Sequence, residues 1–417
     1  MKIAVFGINY YPEVTGIGVY TTQMCEYLAQ KGHQVTVLAG FPYYPFGEDF
    51  SWWYKSKGIS RRRIYYSEVI NAVALERVNF YKPGRPAVFA RIIHEFSFFL
   101  LITLKAALSR ASYDLIICVS PPLLLGLTAF MLSKLKKAPF IFHVQDLQPD
   151  SAVELGIIKS KFLINWLLRL ERFIYLRAGY VLTISKGMLN RIIKKGIPAQ
   201  KAGIFYNWAD PEAIKPLSRD NPFRRACGIG GEFVVLHAGN MGAKQDMQVI
   251  LNAALRLKDE KGICFLLAGA GVKRRQVEDF IVHNCLANII LVGPQPAGRL
   301  SEMFSCCDAA LVTQVAAAGD IVMPSKIFGP ASCQRPLIVA SCAECEVSRL
   351  AREHNFGLVI PPEDPGALTE AILRLKADKG LCEELGRQGR IFMERNRKKD
   401  IILDGFINSF LNKAGKE

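Results

Sequence analysis

Short apolar runs alternate with helix-length amphipathic segments along this chain, and that alternation constrains the fold more than any single motif. Residues 3–6 form an apolar strand, 7–18 a loop rich in Gly, Pro and Tyr, 19–31 a segment of helical period, and 34–38 a second strand. A β-loop-α-β unit of this kind builds a parallel sheet with helices on both faces. Strands follow at 68–79, 115–119 and 140–144, with another opening at Val181; helices are expected over 85–110, 123–137 and 161–178. Turn chemistry at 204–211 marks a linker. The alternation then resumes, with strands at 234–238, 264–268, 289–292 and 309–313 and around Val339 and Val359, and the chain closes on an amphipathic helix over 399–413. The expected fold class is α/β: two consecutive doubly wound domains, residues 1–208 and 209–395, facing across a cleft, with residues 396–417 packing back on the first.

The 417 residues, half of them hydrophobic, suffice for two domain cores. The net charge of +16 is uneven: 26 Lys and Arg stand against 12 Asp and Glu through Trp208, a net +14, and the remainder carries +2. A basic first half suits a phosphorylated substrate or an anionic membrane surface. Nucleic acid ranks last, because no RNA-binding aromatic signature or zinc spacing accompanies the charge. Eleven cysteines without a secretory signal read as reduced thiols in a cytoplasmic protein, and Cys342 and Cys345 alone make a weak redox motif. No run reads as membrane-spanning: residues 115–132 are cut by Pro121 and Pro122, and Lys105 follows the apolar patch 96–104. That patch, flanked by Arg85, Arg91, Lys105 and Arg110, fits either a core-facing helix or a membrane interface.

Three turns favour phosphate. After the 309–313 strand and a small-residue loop, Asp320, Pro324, Ser325 and Lys326 meet where a helix begins. Backbone N–H groups at such a start attract anions, and Lys326 adds a full charge. A second turn runs from Gly239 and Asn240 to Lys244; a third holds Gly16 and Gly18 at a helix start, without the spacing of a dinucleotide fingerprint. At the end of the 140–144 strand, His143 and Gln145 share a face, His143 being open to a core role, and Asp146 sits where ligands bind in parallel sheets.

The stretches GINYYPEVTGIG (7–18), QDLQPDS (145–151), FYNW (205–208), GNMG (239–242) and MPSK (323–326) together resemble the retaining glycosyltransferases of family 4, of GT-B fold, in the subgroup that builds colanic acid, O-antigen and capsular polysaccharide. The resemblance implies a nucleotide sugar on the second domain and a lipid-linked glycan acceptor on the first, at the inner face of the cell membrane. By it, Lys244 and Lys326 hold the donor diphosphate with Gly239, Asn240, Pro324 and Ser325, while Gly16 and Gly18 approach from the first domain. Gly293 and Pro294 lie near the base, Asp146 and Asp320 near the transferred sugar, and His143 and Gln145 on the acceptor side. Neither cofactor nor metal is expected, since two lysines neutralise the diphosphate and no Asp-x-Asp pair occurs. Four positions depart from the family pattern: the first glutamate of a usual Glu-x7-Glu pair has no equivalent, though Asp320 sits one residue away, Gly329 stands where the second, ribose-binding glutamate is usual, Asn240 where an arginine is, and Gln145 where a histidine is. A nucleotide-sugar 2-epimerase of the same fold and a non-catalytic partner of a glycan assembly complex are the competing readings.

Overall fold

A computed structural model describes residues 1–13, 16–44, 48–84, 88–154, 156, 158–321 and 323–414, without the side chains of 88, 320 and 321. Arg85, named above, lies outside the described residues, as do Val14 and Thr15 of the 7–18 stretch, Val322 between Asp320 and Pro324, and the side chain of Asp320. The chain forms two units: residues 1–153, 158–206 and 403–417, and residues 154–157 and 207–402.

The first unit is an eight-stranded sheet of β1 (Lys2–Phe6), β2 (Gln34–Gly40), β3 (Tyr65–Ile70), β4 (Val73–Val78), β5 (Leu115–Ser120), β6 (Phe140–Val144), β7 (Tyr180–Thr183) and β8 (Ala202–Ile204). Their order is β3-β4-β2-β1-β5-β6-β7-β8, parallel except for the β3–β4 hairpin. β5 and β6 are buried at every position, the mark of strands covered on both faces. Each large apolar side chain so enclosed contributes about 1.5–3 kcal/mol.

The hairpin corrects the single strand expected over 68–79. Asn71 and Ala72 take φ of 49° and 63°, reversing the chain between β3 and β4. Arg77 of β4, fully buried, pairs with Glu68 of β3 at 2.7 Å and donates to Gly40 O and Tyr11 O, tying the hairpin to the loop after β1.

Helix Val88–Leu108 carries the apolar patch, with Phe98 and Ile102 in the core and Phe89, Ile92, Phe96, Leu100, Leu104 and Leu108 exposed. No helix among the described residues is long and apolar enough to cross a membrane. The last segment of the chain returns to this unit: Phe406 stacks on Phe205 at 4.2 Å, and Asp404 accepts from Tyr27 Oη and pairs with Lys31. Its helix Lys399–Phe406 gives way to a π-turn, Ile407–Leu411.

The second unit is a parallel six-stranded sheet of β9 (Phe233–Ala238), β10 (Ile263–Ala268), β11 (Ile289–Val292), β12 (Ala309–Thr313), β13 (Leu337–Ala340) and β14 (Gly357–Ile360), in the order β11-β10-β9-β12-β13-β14. Val235, Leu267, Leu311 and Ile338 pack with Ile250 and Ile372 from the flanking helices. No disulfide forms among the described residues.

Candidate active site

In the second unit β9 and β12 are neighbours, and the connections leaving them diverge. At such a reversal ligands bind beyond the carboxyl ends of the strands. The loop after β9 is zipped to the loop after β10 by backbone hydrogen bonds: Gly239 N to Ala268 O and Met241 N to Ala270 O, both 2.8 Å. Two glycines permit this contact. Gly269 has φ +150° and a Cβ there would fall 2.0 Å from Gly239 O; Gly271 has φ +150° and a Cβ there would fall 2.6 Å from Asn240 Oδ1 and Met241 O.

Lys326 lies in the 3-10 turn Ser325–Ile327, which opens at Pro324. Its side chain crosses Gly239, where a Cβ would sit 3.0 Å from Lys326 Cε. The ammonium donates to Asn240 O (3.0 Å), Gln245 Oε1 (2.9 Å) and His237 Nε2 (3.0 Å). Three donors thus meet three neutral acceptors, and among the described residues no carboxylate pairs with the ammonium. Burial therefore pulls the Lys326 ammonium down to about 7. His237, fully buried in β9, is held well below its usual range by burial and then by the Lys326 charge. The hydrogen bond assigns its ring as neutral with the proton on Nδ1, which has no partner among the described residues.

The other expected donor residues surround this point unequally. Asn240 is confined between Gly242 and Gly271. Lys244 is half-buried, and its carbonyl accepts from Val315 N (3.2 Å), joining the loop after β9 to the one that leads to Lys326. Pro324 is buried and Ser325 exposed. Gly293 and Pro294 follow β11, two strands away, where Arg274 ties Gly269 O (2.6 Å) to Val292 O (3.2 Å). At Gly329 a Cβ would lie 2.3 Å from the Phe304 ring, so an aromatic side chain fills the place where the resemblance expects a carboxylate.

In the first unit Gly16, with φ +60°, precedes helix Ile17–Gln30, which has no side-chain cap among the described residues. Gly18 lies close to Glu13, a Cβ there falling 3.3 Å from Glu13 O. The buried Glu13 carboxylate accepts from Tyr43 N (2.8 Å), Tyr44 N (2.9 Å) and Asn9 Nδ2 (2.7 Å). Burial nevertheless raises it to about 7. Asp146, half-buried past β6, accepts from Ser151 Oγ (2.9 Å). Glu95, raised chiefly by burial, is held by Arg91 and Gln148 and feels the Asp146 charge. His143 is seated as a packed core residue, its ring 4.8 Å from Phe205 and pushed down to about 3 by burial; Gln145 Nε2 lies 3.5 Å from its Nε2.

Sequence reasoning misses His237, Gln245, Glu13 and Glu95. A lone histidine inside the apolar strand at 233–238 is the available signal for the first, and Gly269 and Gly271, following a buried strand, signal a close backbone approach.

Residues 15–208 match the glycosyl transferase 4-like domain and residues 232–378 the glycosyl transferases group 1 domain. The chain is 30% identical to the putative colanic acid biosynthesis glycosyl transferase WcaI of Escherichia coli (strain K12), over 98% of this chain and 99% of that protein. It is 27% identical to the probable glycosyltransferase WbjE of Pseudomonas aeruginosa, over 76% and 78%. Among solved structures, sucrose-phosphate synthase from Thermosynechococcus elongatus superposes with TM-score 0.75 at 17% identity, covering both chains in full. Anabaena HepE, crystallised with UDP-glucose, gives 0.73 at 14% identity over 99% and 100%. The diverging strands, the glycine-zipped loops and the whole-length similarity point one way: the chain belongs to the glycosyltransferases of GT-B fold.

Proposed function

We propose that this glycosyltransferase moves a sugar, with retention, from a nucleotide-sugar donor on residues 209–395 to a polyprenyl-diphosphate-linked glycan on residues 1–208. The reaction serves bacterial surface polysaccharide assembly, in the cytoplasm at the inner face of the membrane, as the similarity to WcaI suggests. The observation that carries this reading is the Lys326 ammonium, held by three neutral acceptors and, among the described residues, by no carboxylate.

Cleaving the bond to the anomeric carbon leaves a diphosphate that gains negative charge. A pre-positioned cation stabilises that state most where water is scarce. Lys326 is assigned this role, with Lys244 beside it, the backbone around Gly239 and Asn240 and the turn at Pro324 and Ser325 seating the phosphates, and Gly293 and Pro294 facing the base. Gly16 and Gly18 are assigned to the same phosphates, Asp146 and Asp320 to the transferred sugar, and His143 and Gln145 to the acceptor side, His143 acting from the core through Gln145. Same-face attack lets the departing phosphate oxygen take the acceptor proton. Two lysines supply the charge that a metal supplies elsewhere.

A thermal-shift screen of nucleotide sugars, with free nucleoside diphosphates as controls, identifies the donor. Acceptor-dependent release of the diphosphate then supports transfer; conversion of the donor to its epimer without acceptor identifies the epimerase. The Phe304 ring over Gly329 gives one observation to the non-catalytic reading, which predicts donor binding with neither release nor donor consumption under either condition.

A further inference from the structure

On the first unit, at the amino ends of β6 and β7 and therefore at the opposite edge of the sheet from Gly16 and Asp146, lies an open surface cavity of about 410 Å³ whose lining cations are exposed. Lys134, Lys137, Arg177 and Lys201 line it, with Ser133 and backbone, and no carboxylate does. Among the described residues none of these four cations is paired with an acid. Arg177 is fixed by stacking on Phe130 (5.6 Å) and Phe173 (5.2 Å), and Lys201 Nζ lies 3.4 Å from Ala178 O.

Charge at this place has an ordinary explanation, because helices Leu125–Lys136 and Lys161–Arg177 end here and a helix C-terminus favours cations. Each end carries only about half a negative charge, however, so two ends offset about one of the four positive charges. A surplus of about three remains around a space open to an anion.

The surroundings say what kind. The crossovers β4–β5, β5–β6 and β6–β7 run in one direction across the sheet, so right-handed connection puts helices Val88–Leu108, Leu125–Lys136 and Lys161–Arg177 on one face. Thr103 bonds Thr128 at 2.6 Å between the first two, and Phe130 meets Phe173 at 5.4 Å between the last two. All three present apolar side chains to solvent: the stripe ending in Leu104 and Leu108, then Met131 and Leu135, then Trp166 and Leu176. A cationic cavity at the end of a wide exposed apolar face matches an acyl-chain surface bordered by phosphates.

We propose that this cavity binds the phosphodiester headgroup of an anionic lipid while the three-helix face lies in the bilayer interface. The proposal deepens the membrane location in the function proposed above and rests on it. Sedimentation with vesicles tests it, using phosphatidylcholine alone and phosphatidylcholine mixed with phosphatidylglycerol. The wild type partitions onto the mixed vesicles, and Lys137→Ala with Lys201→Ala weakens partitioning about 25-fold, at about fivefold per cation. Arg62→Ala with Arg63→Ala, equal in charge and outside the cavity, changes it less than about threefold. Three results overturn the proposal: equal loss in both pairs, no loss in the cavity pair, or equal binding of free glycerol phosphate without vesicles. Failure of the wild type to bind mixed vesicles overturns the membrane location as well. Transfer to a water-soluble acceptor stays at the wild-type rate in the cavity pair, and absence of transfer in the wild type points instead to failure of the enzymatic reading.

Discussion

Donor binding to this protein should take up a proton, and Lys326 sets how much. In the free protein burial holds the ammonium at about 7, against an ordinary 10.5. A bound diphosphate supplies the missing counter-charge and returns the lysine to its ordinary range or above. At pH 8 about nine tenths of the free protein has Lys326 neutral, so each donor bound takes up about 0.9 proton; at pH 6 the figure is about 0.1. Affinity should fall about tenfold for each pH unit above 7, or about 1.4 kcal/mol per unit. A nucleotide sugar is the right ligand because its diphosphate diester does not titrate in this window. Calorimetric titration at pH 8 in buffers of different ionisation enthalpy gives the uptake directly, and Lys326→Met should abolish it. The sign for the unliganded protein is opposite to a stabilising ion pair. The folded value lies below the unfolded one, so stability rises as pH increases from 7 to 10.5. Uptake below about 0.2 proton at pH 8, with a flat affinity profile, refutes the reasoning.

Three further outcomes follow from other contacts. Gly269→Ala forces a Cβ to within 2.0 Å of Gly239 O at φ +150°; we expect the unit to lose about 1–3 kcal/mol in urea titration and donor binding to be lost with the loop geometry. Gly329→Glu drives a side chain into the Phe304 ring and should lower stability by about 1–3 kcal/mol, with Phe304→Ala restoring the melting temperature of the double variant if the ring is the obstacle. Glu13, raised to about 7 in the folded state, adds stability that is fully present below about 4.5 and lost as pH rises through 7. The stability difference between wild type and Glu13→Gln should therefore decline across that window in denaturant titrations and be flat above it.

Much of the fold is legible because central parallel strands are continuous apolar runs, as at β5, β6 and β10, and because turn residues separate them from helices. The β3–β4 hairpin is not, since its turn is built from Asn71 and Ala72 and lacks the glycine that normally announces positive φ. The short helix Ser51–Ser56 is likewise hidden in an aromatic segment that reads as loop. Lys326 stands out in the sequence as an anion ligand, but its fold-back onto His237, Asn240 and Gln245 joins residues more than eighty positions apart, which no local pattern records. Period-two alternation puts His143 beside Gln145, yet only packing shows that Phe205 covers the ring. Gly271 is visible as a residue and silent as a reason, because its role is to admit Asn240 from another loop.

The central claim is that the Lys326 ammonium stabilises a departing diphosphate during sugar transfer. Acceptor-dependent release of nucleoside diphosphate, measured in wild type and Lys326→Ala with the donor found by screening, tests it most directly. Turnover in the variant should be about 10²-fold lower, with the fold intact by circular dichroism. Turnover equal to wild type in the variant contradicts it.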